Sequence, residues 1–206
     1  MAKKIRNIVL CVILMVGLVF CAGCSSEYQL GRDMSDVLAR YNWQLYVGAG
    51  TGVWVSIERQ ELMLISNKRV IKRYRCSTAS AGTGNRVDSG MTPLGWHRVG
   101  AKVGGELSMG AVLKDREWTR EVWAEGQHSD QDLILSRILR LEGLENGKNR
   151  GGDVDTWSRY IYIHGTNQVE VLGRPASAGC IRLDPQEVID LYEQVDEECC
   201  VLITQG

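Results

Sequence analysis

Residues 161–183 read I-Y-I-H-G-T-N-Q-V-E-V-L-G-R-P-A-S-A-G-C-I-R-L. The apolar run from Ile161 to Ile163 ends in His164 and Gly165. Sixteen positions after the histidine comes Cys180, preceded by Ser177-Ala178-Gly179 and followed by Ile181-Arg182. A thiol attacks as its thiolate, so a nucleophilic cysteine needs a nearby base or positive charge. A glycine beside each residue lets the backbone approach a substrate with no side chain in the way. A lone cysteine near a lone histidine is by itself a weak signal, more often coincidence than a dyad.

The fuller pattern is sharper. The strings H-G-T-N at 164–167, L-G-x-P at 172–175 and S-x-G-C-I-R-L at 177–183 resemble the signature of the L,D-transpeptidase catalytic domain, also called the YkuD domain. That family carries a His-Gly and then a Ser/Thr-His-Gly-Cys-apolar-Arg/Asn run. Ala178 stands here where the family usually has a second histidine. Thr92-Pro93-Leu94-Gly95-Trp96-His97 resembles the family's T-P-x-G-x-[FHY] element, which leads into a strand. The resemblance covers Val53 to Thr204. It implies a mainly β fold, a mixed β-sandwich of the L,D-transpeptidase type with one or two short helices. Residues 51–206 are then the catalytic domain, 24–50 an N-terminal linker and 1–23 a lipoprotein signal peptide; the helical spacing of Met34, Val37, Leu38 and Tyr41 makes the linker run into a short helix or turn.

The resemblance also implies the chemistry. Cys180 attacks a peptide carbonyl and His164 handles the proton, either as base or within a preformed ion pair. The Gly165 carbonyl orients His164, and backbone N–H groups around Gly179 and Cys180 receive the oxyanion. Arg182 either binds a substrate carboxylate bidentately or forms a structural ion pair. Ser177 lies at the substrate side of the turn and shapes it. The donor is a peptidoglycan tetrapeptide stem, cut with release of D-Ala. Its acyl group passes to an amine, or to water in an L,D-carboxypeptidase. A non-catalytic wall-binding lipoprotein is the reading from another class, prompted by Ala178. A sortase would need a wider His–Cys gap, and papain-like enzymes place Cys before His.

The leader carries Lys3, Lys4 and Arg6 ahead of an uncharged run from Ile8 to Phe20, too short for comfort as a permanent span. It ends in Cys21-Ala22-Gly23-Cys24, which resembles a bacterial lipobox, although Cys21 replaces the usual Leu. Cleavage there makes Cys24 a lipidated N-terminus and places the protein in the cell envelope, on the periplasmic face. Ser25, not Asp, favours the outer membrane by the same resemblance. A monomer is expected.

The 24 basic and 25 acidic residues nearly balance, and no basic patch offers a nucleic-acid partner. His97, His128, His164 and scattered cysteines lack the paired spacing of a zinc site, so no metal or other cofactor is expected. His97 reads as a half-buried strand residue. Cys76, Cys199 and Cys200 are either buried free thiols or one bridge between Cys76 and one of the other two.

Elsewhere the chain reads as strands and turns. Val53, Val55 and Ile57 alternate with polar residues, Leu62 and Leu64 mark a second run, and Asn67-Lys68 makes a turn. The third run, Arg69 to Ser77, places Val70, Lys72, Tyr74 and Cys76 on one face. Leu133 to Leu141 fits strand or helix, and the resemblance favours strand. Gly100 to Gly110 is a glycine-rich loop, and 142–156 a long one, either a lid or an insertion. Asp184, Pro185 and Glu187 start a helix whose apolar face is Val188, Leu191, Tyr192 and Val195.

Overall fold

The computed structural model describes residues 28–29, 32–127, 129 and 131–206. The leader, Cys24 and His128 lie outside the described residues. The strands are β1 (Tyr28–Gln29), β2 (Thr51–Ser56), β3 (Glu61–Ser66), β4 (Arg69–Arg75), β5 (Gly95–Val103), β6 (Ala111–Lys114), β7 (Glu117–Val122), β8 (Ile134–Gly143), β9 (Tyr162–Thr166), β10 (Ile181–Leu183) and β11 (Cys200–Thr204). The helices are α1 (Arg32–Arg40), α2 (Trp43–Tyr46) and α3 (Pro185–Gln194). All strands belong to one mixed sheet, ordered β1-β4-β3-β2-β11-β5-β8-β6-β7, with β9 on the other edge of β8 and β10 beside β9. The chain is mainly β, as expected, with one helix more than expected.

The β3–β4 hairpin turns at Asn67 and Lys68, whose φ angles of 49° and 61° suit the twist of the flanking strands. A bulge at Ile71 then corrects the face assigned to the third run: Leu64 opposes Lys72 but Ile65 opposes Val70. One extra residue reverses which face a side chain takes. Tyr74 and Cys76 join the core with Leu62 and Leu64, while Val70 joins the opposite layer with Met63 and Ile65.

Two apolar layers result. In the first, Val53, Val55 and Ile203 meet Leu139, Ile163, Ile181, Leu183 and the α3 residues Val188 and Leu191. In the second, Trp54, Met63, Ile65 and Leu202 meet Met34, Leu38 and Trp43. Strands β2, β3 and β11 are therefore covered on both faces, which explains their continuous apolar runs. The helical spacing of Met34, Val37 and Leu38 is met by α1, and α1 and α2 bury Met34, Leu38 and Trp43 in the second layer. β11 lies inside the sheet, parallel to β2 and antiparallel to β5.

The bridge from Cys76 to Cys199 or Cys200 is not made; all three are free thiols. β11 begins with Cys200 near the Gly52 end of β2, whereas Cys76 follows the Arg75 end of β4, opposite Glu61. About six residues of strand, near 20 Å, separate those ends. The 142–156 segment is neither a free lid nor a loose insertion. Buried Asn149 donates from Nδ2 to the carbonyls of Leu94 and Trp96 at 3.1 and 3.0 Å, and Glu145 accepts the Trp96 N–H at 2.6 Å. Gly100, assigned to a loop, lies within β5 at a register shift. The α3 N-terminus forms as read: the Asp184 carboxylate accepts the N–H groups of Gln186 and Glu187 at 2.8 and 3.4 Å. Among the described residues no helix is long and apolar enough to cross a membrane.

Candidate active site

β9 and β10 run parallel, with Ile181 beside Ile163, Arg182 beside His164 and Leu183 beside Gly165. Strand alternation sends Ile163, Ile181 and Leu183 into the core, so Tyr162, His164 and Arg182 share the other face. Cys180 precedes β10 by one residue and falls on that same face. Its sulfur accepts the Tyr162 N–H at 3.3 Å and lies 3.6 Å from the Tyr160 carbonyl oxygen.

His164 is buried, and its Nδ1 lies 2.9 Å from the Gly165 carbonyl oxygen. A carbonyl only accepts, so Nδ1 carries the proton and Nε2 is the basic nitrogen. Nε2 makes no hydrogen bond to a described residue, and none joins His164 to the thiol. Burial pushes the imidazole below the ordinary histidine pKa, against the pull of the Gly165 carbonyl and Asp132. Burial also pushes the Cys180 thiol up to about 11, opposed by the Tyr162 N–H, Arg182 and Arg159. Near neutral pH both groups are therefore uncharged. Of the two protonation schemes, this favours a base that takes the thiol proton during attack.

The turn before Cys180 is fastened at several points. Ser177 Oγ donates to the Cys180 carbonyl at 2.6 Å and accepts the Gly179 N–H at 3.2 Å. Ser177 is thus buried with its hydroxyl engaged within the turn, and the Gly179 N–H is already used. The Cys180 N–H makes no hydrogen bond to a described residue and is the donor left for an oxyanion. Buried Thr92 donates from Oγ1 to the Gly179 carbonyl at 2.9 Å, so the T-P-x-G element anchors the turn before Cys180. Gly179 has φ 135°, and a Cβ there would meet Ile161 Cδ1 at 3.2 Å. At Gly165 a Cβ would meet the Leu135 carbonyl oxygen at 2.6 Å, so both positions require glycine.

Of the two readings of Arg182, the structure shows the ion pair. Only 4% exposed, it pairs with Asp132 and donates from Nη1 to Gln168 Oε1 at 3.2 Å. Thr166 Oγ1 donates to Asp132 at 3.3 Å, so this network braces β9 and β10 together. Ala178 is exposed in the turn. His97 is fully buried, not half-buried. Its Nδ1 lies 3.0 Å from the Gly95 carbonyl and its Nε2 3.1 Å from Thr156 Oγ1. Among the described residues no three His, Cys, Asp or Glu side chains gather as metal ligands.

The family profile of the L,D-transpeptidase catalytic domain (YkuD) matches residues 50–203, most of the chain. The chain belongs to that family. Among solved structures it is similar to an L,D-transpeptidase from Mycobacterium smegmatis, with 17% identity and TM-score 0.46, covering 75% of this chain and 59% of that one. It is similar to the L,D-transpeptidase from Xylanimonas cellulosilytica, with 17% identity and TM-score 0.44, covering 76% and 61%. For L,D-transpeptidase 3 from Mycobacterium tuberculosis the values are 15% and 0.46, covering 75% and 62%. The chain thus spans less than two thirds of each. No curated protein matches it.

Several residues of this L,D-transpeptidase domain that surround the thiol were not legible as such. Arg159 donates to the carbonyls of Gly84 and Met91 at 3.1 and 2.6 Å and to Ser89 Oγ at 3.3 Å, close enough for its charge to act on Cys180. Asp132 and Gln168 hold Arg182. Tyr160, at φ 54°, presents its carbonyl to the sulfur. Nothing in sequence marks these roles: Arg159, Tyr160 and Gln168 stand within five positions of His164, but what they touch is set by contacts with distant segments.

Proposed function

We propose that this L,D-transpeptidase-family protein is a cysteine acyltransferase acting on peptidoglycan stem peptides in the cell envelope. Cys180 is the nucleophile, His164 the base and Gly165 the residue that fixes the base's tautomer. The observation that carries this is the unspent Nε2 of buried His164, on the strand whose neighbour brings Cys180 to the same face. His164 Nε2 takes the thiol proton as sulfur bonds to the carbonyl carbon of the L-centre–D-Ala bond, and the Cys180 N–H receives the oxyanion. The C–N bond breaks, the proton passes to the departing D-Ala amine, and a thioester remains. An acceptor amine then attacks, gives its proton to His164 and releases the thiol. Water in place of the amine makes the reaction an L,D-carboxypeptidation. The protein acts as a monomer and needs no cofactor.

The direct test is intact-protein mass spectrometry of the mature protein mixed with a tetrapeptide stem. Cys180 should gain the acyl mass as free D-Ala appears, and an added amine or water should collect the acyl group. Neither adduct nor D-Ala release, with Cys180 alkylating no faster than a free thiol, leaves the wall-binding reading in its place. The lipobox-like Cys21–Cys24 segment supports an anchor at Cys24, in the outer membrane. The mature N-terminus should be an acylated Cys24, and Cys24→Ala should release the protein from membranes. An unmodified N-terminus at another residue overturns the anchor.

A further inference from the structure

Arg182 was the sequence's candidate for holding a substrate carboxylate, and the structure commits it to Asp132 and Gln168. Arg159 is likewise committed, to two carbonyls and a hydroxyl of the 84–91 loop. Two other guanidiniums stand at the same mouth. Arg140 stacks 3.5 Å from the centre of the Trp157 ring and 4.9 Å from that of Tyr160. Arg116 lies 5.0 Å from the centre of the Tyr160 ring and donates to the Tyr162 hydroxyl at 3.1 Å. Tyr160 and Tyr162 are the residues whose backbone carbonyl and N–H hold the Cys180 sulfur. The two arginines therefore bracket the residues that flank the nucleophile.

Neither arginine has an ion-pair partner among the described residues. The nearest acids act only at a distance. Asp115 is the hairpin neighbour of Arg116, and the Asp155 carboxylate already accepts N–H groups from Gly151 and Ser158 at 2.7 and 2.8 Å. Arg140 makes one hydrogen bond, to the Trp157 carbonyl at 2.9 Å, and its buried Nε has no partner. Burial, together with the like charge of Arg116, disfavours its cationic form. An anion at this edge of the site would offset that repulsion. Ring stacking holds a guanidinium plane while leaving its edge N–H groups for a carboxylate. Arg116 is fixed as well, at the β6–β7 turn, where Asp115 and Arg116 have φ 52° and 69°.

We infer that Arg116 and Arg140 form a carboxylate subsite beside Cys180 that holds the free C-terminal carboxylate of the peptide acyl donor. The identity of that ligand rests on the acyl-transfer reading above; the subsite itself rests on the two unpaired guanidiniums. In a donor cut one residue from its end, the carboxylate lies one residue past the attacked carbonyl. That is roughly 3.5 Å of extended chain, which suits a subsite at the thiol's own mouth. The subsite selects donors with a free terminus over capped ones and fixes which carbonyl meets the sulfur.

The test is binding of a stem-type peptide ending in D-Ala, as free acid and as C-terminal amide, to the full-length Cys180→Ser protein by isothermal titration calorimetry. The acid should bind about 10- to 100-fold more tightly, as expected for charge-assisted hydrogen bonds to a carboxylate. Arg116→Gln and Arg140→Gln should each erase most of that preference by weakening the acid and sparing the amide. Arg140→Lys should restore only part of it, because a lysine lacks the planar fork. Acid and amide binding within twofold of each other on the otherwise unaltered protein overturns the subsite, whatever the variants do. So does an Arg116→Gln/Arg140→Gln double variant that keeps the preference. Acylation of Cys180 without acid preference sinks the subsite and leaves acyl transfer standing. An acid preference that the variants lose, with no acyl adduct in the unaltered protein, sinks acyl transfer and leaves the subsite standing.

Discussion

His97 on β5 and His164 on β9 are alike in most respects. Both are buried, at 0% and 2% exposure, and both direct Nδ1 to a glycine carbonyl, Gly95 at 3.0 Å and Gly165 at 2.9 Å. Burial pushes both below the ordinary histidine range, His97 to about 3. They differ at Nε2: that of His97 is engaged by Thr156 Oγ1 at 3.1 Å, and that of His164 meets no described residue. His97 thus ties β5 to the segment leading into Trp157 and Tyr160, whereas His164 keeps Nε2 free of described residues on the face that Cys180 shares. Burial and residue type do not separate a structural histidine from a catalytic one. Under the proposed mechanism, the fate of the second nitrogen is what would separate them.

Removing the lone pair is the strongest way to break the comparison. His164→Ala should lower kcat/KM by about 10²- to 10⁴-fold, the usual worth of a positioned general base, with little change in melting temperature. Cys180→Ser should lose at least about a thousandfold, since an alcohol ionises far less readily than a thiol. Steady-state release of D-Ala measures both. Full transfer activity in His164→Ala would falsify its assignment as the base.

The pH dependence sharpens the comparison because one fall in pH acts on the two histidines differently. The base must be neutral, and its folded pKa lies below 6.5. kcat/KM should therefore rise with pH through a midpoint below 6.5 and stay level toward the thiol's own ionisation near 11. A bell that falls again between pH 7 and 9 would point to a preformed ion pair instead. Stability follows the same sign. A histidine with a depressed folded pKa binds more protons unfolded, so its contribution is full above pH 6.5. For His97 it is lost as pH falls from there toward about 3.

A smaller effect is expected from the structural histidine. His97→Gln leaves a buried Thr156 and the Gly95 carbonyl short of well-placed partners, at a cost of about 1 to 3 kcal/mol. Thermal unfolding should show a lower melting temperature and a shallower dependence on pH between 4 and 7. D-Ala release per folded molecule should hold. A loss of turnover as deep as that of His164→Ala would mean the two residues are not functionally distinct.

Much of this was legible in the sequence because it is local. The His164-Gly165 and Gly179-Cys180 pairs, the Asn67-Lys68 turn and the Asp184 cap each depend on residues a few positions apart. What was not legible depends on register and on contacts across the chain. Val70 changed face because one residue bulged at Ile71. Arg182 was ambiguous until Asp132 and Gln168, 50 and 14 positions away, were seen to hold it. The helical spacing of Met34, Val37 and Leu38 is local, but that Met34, Leu38 and Trp43 cover Trp54 and Met63 depends on contacts across the chain. Arg116 and Arg140 carry no motif at all; only folding brings them to Tyr160.

The smallest expected effect concerns the residue that departs from the family pattern. Ala178 is exposed in the turn, whereas the residues around it are buried: His164, Ser177, Thr92 and Gly179. None of their hydrogen bonds passes through the Ala178 side chain. A histidine introduced there projects into solvent and adds no base that His164 does not already supply. Ala178→His should therefore alter kcat/KM by about threefold or less, and it should leave the acid-limb midpoint in place, because that midpoint belongs to the buried imidazole. The double variant His164→Ala/Ala178→His gives the sharper measurement. If the exposed position cannot reach the thiol, the double variant should be as slow as His164→Ala alone. Recovery of even a tenth of the lost rate, with a new midpoint near 6.5, would show that the turn brings a second imidazole onto the sulfur. The contrast between a spent and an unspent nitrogen would then not be what selects the base in this fold.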